Sequence, residues 1–296
     1  ENGGTRAVPI YQSTAYVFNS SDHAANLFAL AEPGNIYTRI NNPTNDVLEQ
    51  RLAALEGGIA AVVTASGTAA IATSLLTLLK AGDHIVASSS LYGGTYNLLS
   101  VTLPRHGITT TFVDPSNPEN FQKAAQENTR AFFIESLGNP KLDVLDIEAI
   151  SKVSKAYKVP LIVDNTVATP YLLNPIAYGA NIVIQSLTKY INGNGTALGG
   201  AIIDAGTFDW GSGKFPEFTE PSAGYHGLIY NEVIGAASFI AKVRIEGLRD
   251  YGAALSPFNA FQIIQGLETL EVRIQKHSEN ALELAQWLQK QADVEW

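Results

Sequence analysis

Seven short runs of apolar or β-branched residues punctuate the middle of this chain, at 60–63, 84–87, 109–113, 131–135, 161–164, 182–185 and 198–203. The stretches between them carry helical spacing or turn residues. Strands alternating with helices predict a largely parallel sheet wrapped by helices, the α/β class. A continuous apolar run such as Leu161-Ile-Val163 suits a strand buried on both faces. In open sheets of this kind ligands bind beyond the carboxyl ends of the strands. The polar residues that close each run are therefore where chemistry is to be sought.

Ser186-Leu187-Thr188-Lys189 follows the run Ile182-Val183-Ile184 and precedes a glycine-rich stretch, Asn192 to Gly200. A strand ending here delivers two hydroxyls and an amine to one spot. Hydroxyls at i and i+2 can hold a phosphate, and the amine can condense with an aldehyde. Phosphate plus aldehyde describes pyridoxal 5′-phosphate (PLP), a cofactor that the protein positions and tunes. A surface lysine in a turn would leave the same string, so the neighbours decide. Asp164 closes the run 161–163, at the same sheet edge as Lys189, and a carboxylate there can pair with a protonated pyridine nitrogen; it can equally cap the next helix. Ser66-Gly67-Thr68 stands between the strand 60–63 and a helical pattern, Ile71, Leu75, Leu78 and Leu79, that Gly82 is expected to close. The free N–H groups of Gly67 and Thr68 at that helix start attract an anion, although Ser66 as a plain N-cap explains the string too. Tyr92, beside Gly93 and Gly94, can lay its ring on a planar cofactor or be a core tyrosine. Arg39, with Tyr37, lies in a polar, turn-rich stretch; its fork of donors suits a phosphate, and local sequence alone makes it a solvated arginine.

Taken together, these segments resemble the Cys/Met-metabolism family of PLP enzymes, of fold type I. The strings that carry the resemblance span nearly the whole chain: RAVPIYQSTAYVF (6–18), YTRINNPT (37–44), LAALEGG (52–58), LYGGTYN (91–97), ESLGNP (135–140), VDNT (163–166), SLTK (186–189) and LRDYGAALSPFNAF (248–261). The resemblance implies that Lys189 carries PLP covalently, that Ser186, Thr188, Gly67 and Thr68 hold its phosphate, and that Tyr92 stacks on the ring and shuttles protons. It implies that Asp164 pairs with the pyridine nitrogen, that Asn139 bonds the ring hydroxyl, and that Tyr37 and Arg39 reach the phosphate of a neighbouring subunit's cofactor. It implies a homo-oligomer, a tetramer of two dimers, working in the cytoplasm. The branch matched best, through LYGGTYN, SPFNAF and QGLETL (265–270), replaces the γ-substituent of O-acetylhomoserine with sulfide. Cystathionine γ-synthesis, or γ-elimination from methionine or cystathionine, is the alternative on the same scaffold. A scaffold or ligand sensor without catalysis has no use for the lysine. The chain departs from the family in Thr68, in Gln185 and Leu187, and in Asn192-Gly-Asn-Gly-Thr196. The family also continues through a C-terminal domain whose arginine grips the substrate carboxylate. No residue here is assigned that role, and the chain reads as a piece of a longer protein.

Composition narrows the rest. With no Cys, the chain has no disulfide, thiolate nucleophile or Cys-metal site, and its five histidines are scattered. The absent cysteine also speaks against a methionine γ-lyase type, which uses one near the ring. A net charge of −9 argues against nucleic acid and anionic membranes as partners, and no run reaches membrane-spanning length. Residues 1–44 are expected to form an N-terminal arm with a helix near 22–31, 45–237 a PLP-binding domain, and 238–296 the start of a C-terminal α/β domain. Within 238–296 a single long helix is expected, from Ser256-Pro257 to about residue 291.

Overall fold

Each of the seven runs is a strand in the computed structural model, which describes residues 4–295. Residues 1–3 of the expected arm and Trp296 lie outside the described residues. The strands are β1 (Ala60–Thr64), β2 (His84–Ser88), β3 (Thr109–Val113), β4 (Thr129–Glu135), β5 (Leu161–Asp164), β6 (Ile182–Gln185) and β7 (Gly200–Asp204). They form one sheet in the order β1-β7-β6-β5-β4-β2-β3. From β3 to β6 every pairing is parallel, while β7 runs antiparallel to both neighbours. The reversal follows from the connection. A parallel neighbour needs a long crossover, commonly a helix, whereas residues 186–199 are a chain of turns that folds straight back beside β6.

Successive strand residues point to opposite faces, and both faces are covered. Ile162, Ile182, Ile184 and Ile202 face helix packing from Ile71 and Leu75. Val163, Val183, Ala201 and Ile203 meet Leu48, Leu52 and Ile150 on the other side. The helix of the N-terminal arm is α1 (Ser21–Phe28), and those that bear on the site are α2 (Pro43–Glu56), α3 (Gly67–Leu78) and α4 (Gly93–Asn97). Asn42 caps α2 by accepting from Thr44 N at 2.9 Å, with Pro43 at the first helical position.

Three expectations are corrected. Helix α1 stops at Phe28, short of residue 31, because Leu30 takes a left-handed φ of 57°. Helix α3 ends at Leu78, with Leu79 already extended; Gly82, at φ +94°, turns the chain into β2 and does not close the helix. The long C-terminal helix is two, Pro257–Leu267 and Leu270–Leu288. Its break lies where the Gly266 carbonyl accepts from Thr269 N at 3.2 Å and from Arg273 Nη2 at 2.8 Å. Ser256 stands before the first of them without a side-chain cap bond.

The segment that follows β7 packs its aromatic rings inward. Trp210, Phe215 and Phe218 are buried against Tyr230 and Phe239, and the Trp210 and Phe239 rings stack at 5.5 Å. Among the described residues no helix is long and apolar enough to cross a membrane.

Candidate active site

Strands β4, β5 and β6 end together, and Glu135, Asp164 and Ser186 at their ends line a cleft of about 790 Å³. Eight of the ten residues singled out in the sequence line it: Gly67, Thr68, Tyr92, Asn139, Asp164, Ser186, Thr188 and Lys189. Topology explains the convergence. Parallel strands bring their carboxyl ends to one edge, so residues separated by more than a hundred positions become neighbours.

Helix α3 aims its N-terminus at Ser186. Ser66 caps it by accepting from Ala69 N at 3.1 Å, so the capping reading holds. The N–H groups of Gly67 and Thr68 nevertheless have no partner among the described residues, and neither has the Ser186 hydroxyl. Gly67 is required by closeness: a Cβ there would lie 2.6 Å from the Ser186 Cβ. Thr188 is committed elsewhere. Its hydroxyl donates to Gly199 O at 3.2 Å and accepts from Gly199 N at 3.1 Å, which pins the turn that carries Lys189. The Lys189 side chain is exposed to the cleft.

Tyr92 is half exposed, so it is not a core tyrosine, and its ring covers Gly94, where a Cβ would meet Tyr92 Cε1 at 2.5 Å. Asp164 folds back on Thr166, whose N and Oγ1 donate to Oδ1 at 3.0 and 2.5 Å. Its Oδ2 has no partner among the described residues. Burial pushes the Asp164 carboxyl up from its ordinary value, against the lowering effect of the Thr166 bonds. The donor set fits PLP: unpartnered amides and a hydroxyl for a phosphate, an exposed amine, a flat ring, and a carboxylate oxygen left open.

Tyr37 and Arg39 lie outside this cleft. The Arg39 guanidinium sits 5.2 Å over the Tyr37 ring and donates through Nη1 to Arg249 O. Its other donors and the Tyr37 hydroxyl have no hydrogen-bond partner among the described residues, while its charge acts on the nearby Asp250 carboxylate.

Sequence reasoning passed over Glu135, Arg273 and His277, which also line the cleft. Arg273 is no substitute for the arginine expected of a C-terminal domain. It donates to Tyr190 O at 2.6 Å, Gly266 O at 2.8 Å and Ile191 O at 3.3 Å, holding the turn that follows Lys189. Glu135 closes β4 as Asp164 closes β5, and the two are register partners. A charge at the end of an apolar strand was the signal, and it was legible. Burial, then the neighbouring Asp164 charge, raises the Glu135 carboxyl to about 7, although Tyr92 N and Asn139 N donate to it.

Behind the cleft lies a further buried carboxyl. Glu56 Oε1, at the end of α2, accepts from Gln185 Nε2 at 2.6 Å and Asn165 Nδ2 at 3.2 Å. Ser136 Oγ donates to Asn165 Oδ1 at 2.8 Å. The network thus ties together the residues next to Glu135, Asp164 and Ser186. Glu56 Oε2 and Gln185 Oε1 are buried without partners among the described residues, and burial raises Glu56 from 4.5 to about 7. Below pH 4.5 the carboxyl is protonated folded or unfolded, and its favourable contribution is complete. Between 4.5 and about 7 only the unfolded chain ionises it, so stability falls as pH rises; the full loss is ~3 kcal/mol. Glu56→Gln should therefore melt higher than the parent at pH 8, and the two should converge toward pH 4.5. Melting curves that stay parallel across that range would show that Glu56 is ionised in the fold.

This geometry has counterparts among known proteins. The sequence profile of the Cys/Met metabolism PLP-dependent enzymes matches residues 1–296. The chain is 59% identical to the O-acetyl-L-homoserine sulfhydrylase of Leptospira meyeri, covering 99% of this chain and 68% of that protein. It is 52% identical to the homocysteine synthase of Schizosaccharomyces pombe, covering 99% and 69%. A solved Campylobacter jejuni structure holding N′-pyridoxyl-lysine-5′-monophosphate superposes with a TM-score of 0.94 at 45% identity, over 97% of this chain and 72% of that one.

Proposed function

Because the chain belongs to the Cys/Met metabolism PLP-dependent enzymes, we propose that it converts O-acetyl-L-homoserine and sulfide to L-homocysteine and acetate. The observation that carries this reading is the cleft itself, where an exposed lysine, an open carboxylate oxygen and an unpartnered helix N-terminus converge, in a chain 59% identical to a sulfhydrylase.

When bound, PLP supplies an electron sink for carbanion chemistry on an amino acid. The chain's own groups do the rest. Lys189 Nζ would hold the cofactor, and its amine is the base placed to take the substrate's α-proton. Tyr92 covers the ring, and its Oη passes protons between substrate and cleft. Asp164 Oδ2 would accept the pyridine N–H, while Asn139 would hold the ring hydroxyl. Gly67 N, Thr68 N and Ser186 Oγ would hold the phosphate, and Thr188 would join them by exchanging its Gly199 O bond. Tyr37 and Arg39 serve the phosphate of a partner subunit, within a tetramer in the cytoplasm. On this reading residues 45–237 are the cofactor unit, entered from the arm 1–44, and 238–296 begin a second unit.

Two experiments test the proposal. Initial rates with O-acetyl-, O-succinyl- and O-phosphohomoserine, each with sulfide and with cysteine, should favour the acetyl ester with sulfide. Preference for the succinyl ester with cysteine would move the protein to cystathionine γ-synthesis. Borohydride reduction of the holoprotein followed by peptide mapping should place the pyridoxyl label on Lys189. A label on Lys80 or Lys141 would refute the assignment of the lysine.

A further inference from the structure

Glu135 is 4% exposed, and both of its oxygens are engaged. Oε1 accepts from Tyr92 N at 2.7 Å and Oε2 from Asn139 N at 3.1 Å. These two backbone groups belong to segments on different walls of the cleft, and neither is held by a strand. Tyr92 stands just before α4, which has no side-chain cap bond, and Asn139 lies in the turn that follows β4. A carboxylate suits the task, since each oxygen is an acceptor and neither is a donor. A glutamine would turn its NH₂ toward one of the two N–H groups. Asp164, the register partner on β5, is used differently: it directs Oδ1 to Thr166 and keeps Oδ2 open. Burying a second carboxyl beside Asp164 is unfavourable, as the raised Glu135 carboxyl shows. A neutral residue would escape that penalty, so the two N–H bonds are what the carboxyl provides in return.

We propose that Glu135 is a positioning residue, a bracket that joins the Tyr92 and Asn139 backbones and so sets the ring and the amide against the cofactor. The proposal rests on the reading of this cleft as the PLP site, with the Tyr92 and Asn139 side chains touching PLP.

A double-mutant cycle on PLP affinity tests it. Apoprotein is titrated with PLP at pH 8.5, above the raised Glu135 carboxyl so that both of its oxygens accept, and the apparent Kd is read from the absorbance of the bound cofactor, independently of turnover. Glu135→Gln should raise Kd about tenfold or more, the scale of one lost charge-assisted hydrogen bond. In the Tyr92→Ala/Asn139→Ala background the same change should raise Kd less than about twofold, because the side chains through which the bracket acts are gone. A general weakening of the fold would add fully in both backgrounds, and that result overturns the proposal; so does an unchanged Kd for Glu135→Gln. If Glu135→Gln does not fold, Glu135→Asp keeps both acceptors on a stem one carbon shorter and goes through the same cycle, where full additivity or an unchanged Kd again overturns the proposal. A Tyr92→Ala/Asn139→Ala double variant that binds PLP like the parent overturns the reading of the cleft, and the bracket with it.

Discussion

Asp164→Asn should keep the fold and some of the cofactor, and lose about 10²–10³-fold in kcat, ~3–4 kcal/mol of transition-state stabilisation. The reasoning is electrostatic. An electron sink at the pyridine ring works well only while the ring nitrogen keeps its proton, and an anion at Asp164 Oδ2 favours that proton. Asparagine offers a neutral dipole in the same space, so shape and phosphate contacts persist while the driving field is lost. Oδ1 is already occupied by Thr166, so a single oxygen carries the effect. Turnover is to be measured with bound PLP quantified on each sample, which separates weak binding from poor chemistry. A kcat within twofold of the parent at full occupancy would falsify the role given to Asp164.

Mixing two inactive variants, Arg39→Ala and Lys189→Ala, should restore activity, up to about a quarter of the parent's if subunits pair at random. Half of the random dimers are mixed, and each mixed dimer has one site with both groups intact: Lys189 from one chain, Arg39 from the other. The expectation comes from the position of Arg39. Within its own chain it leans on Tyr37 and bonds Arg249 O, outside the cleft that holds Lys189, with donors to spare. An isologous two-fold interface turns one such arm into two completed sites. No recovery, with mixed dimers demonstrated by mass, would mean that Arg39 serves its own chain or no cofactor.

Much of the cleft was legible because its determinants are local. Lys189, Ser186 and Asp164 follow apolar runs whose strand character depends on a few residues, and a parallel sheet carries such residues to one edge whatever their separation. The direction of β7 was not legible, because no local signal in 198–203 distinguishes a strand that returns through turns from one that returns through a helix. The break at Glu268-Thr269 was hidden for a similar reason. Arg273 competes for the Gly266 carbonyl only once the helix lies against the Lys189 turn, a tertiary effect that overrides good helical periodicity. Glu56 was missed because nothing in the surrounding LAALEGG reports that its carboxyl ends up inside; only the arrival of Gln185 and Asn165 reveals it. Glu135 is different: the strand-end reasoning that found Asp164 applied to it unchanged.

The grip of Arg273 on the carbonyls of Tyr190 and Ile191 bears on how this sequence can drift. Carbonyls are common to every amino acid, so the clamp is blind to which side chains follow the lysine. Substitutions at 190 and 191 that preserve the packing of Ile191 and the Tyr190–His277 contact should therefore leave Lys189 in place, whereas few should be tolerated at Arg273, far along the chain. Position 273 is thus where selection on the placement of Lys189 is expected to register, and a library randomised there should retain far fewer cofactor-binding clones than one randomised at 190.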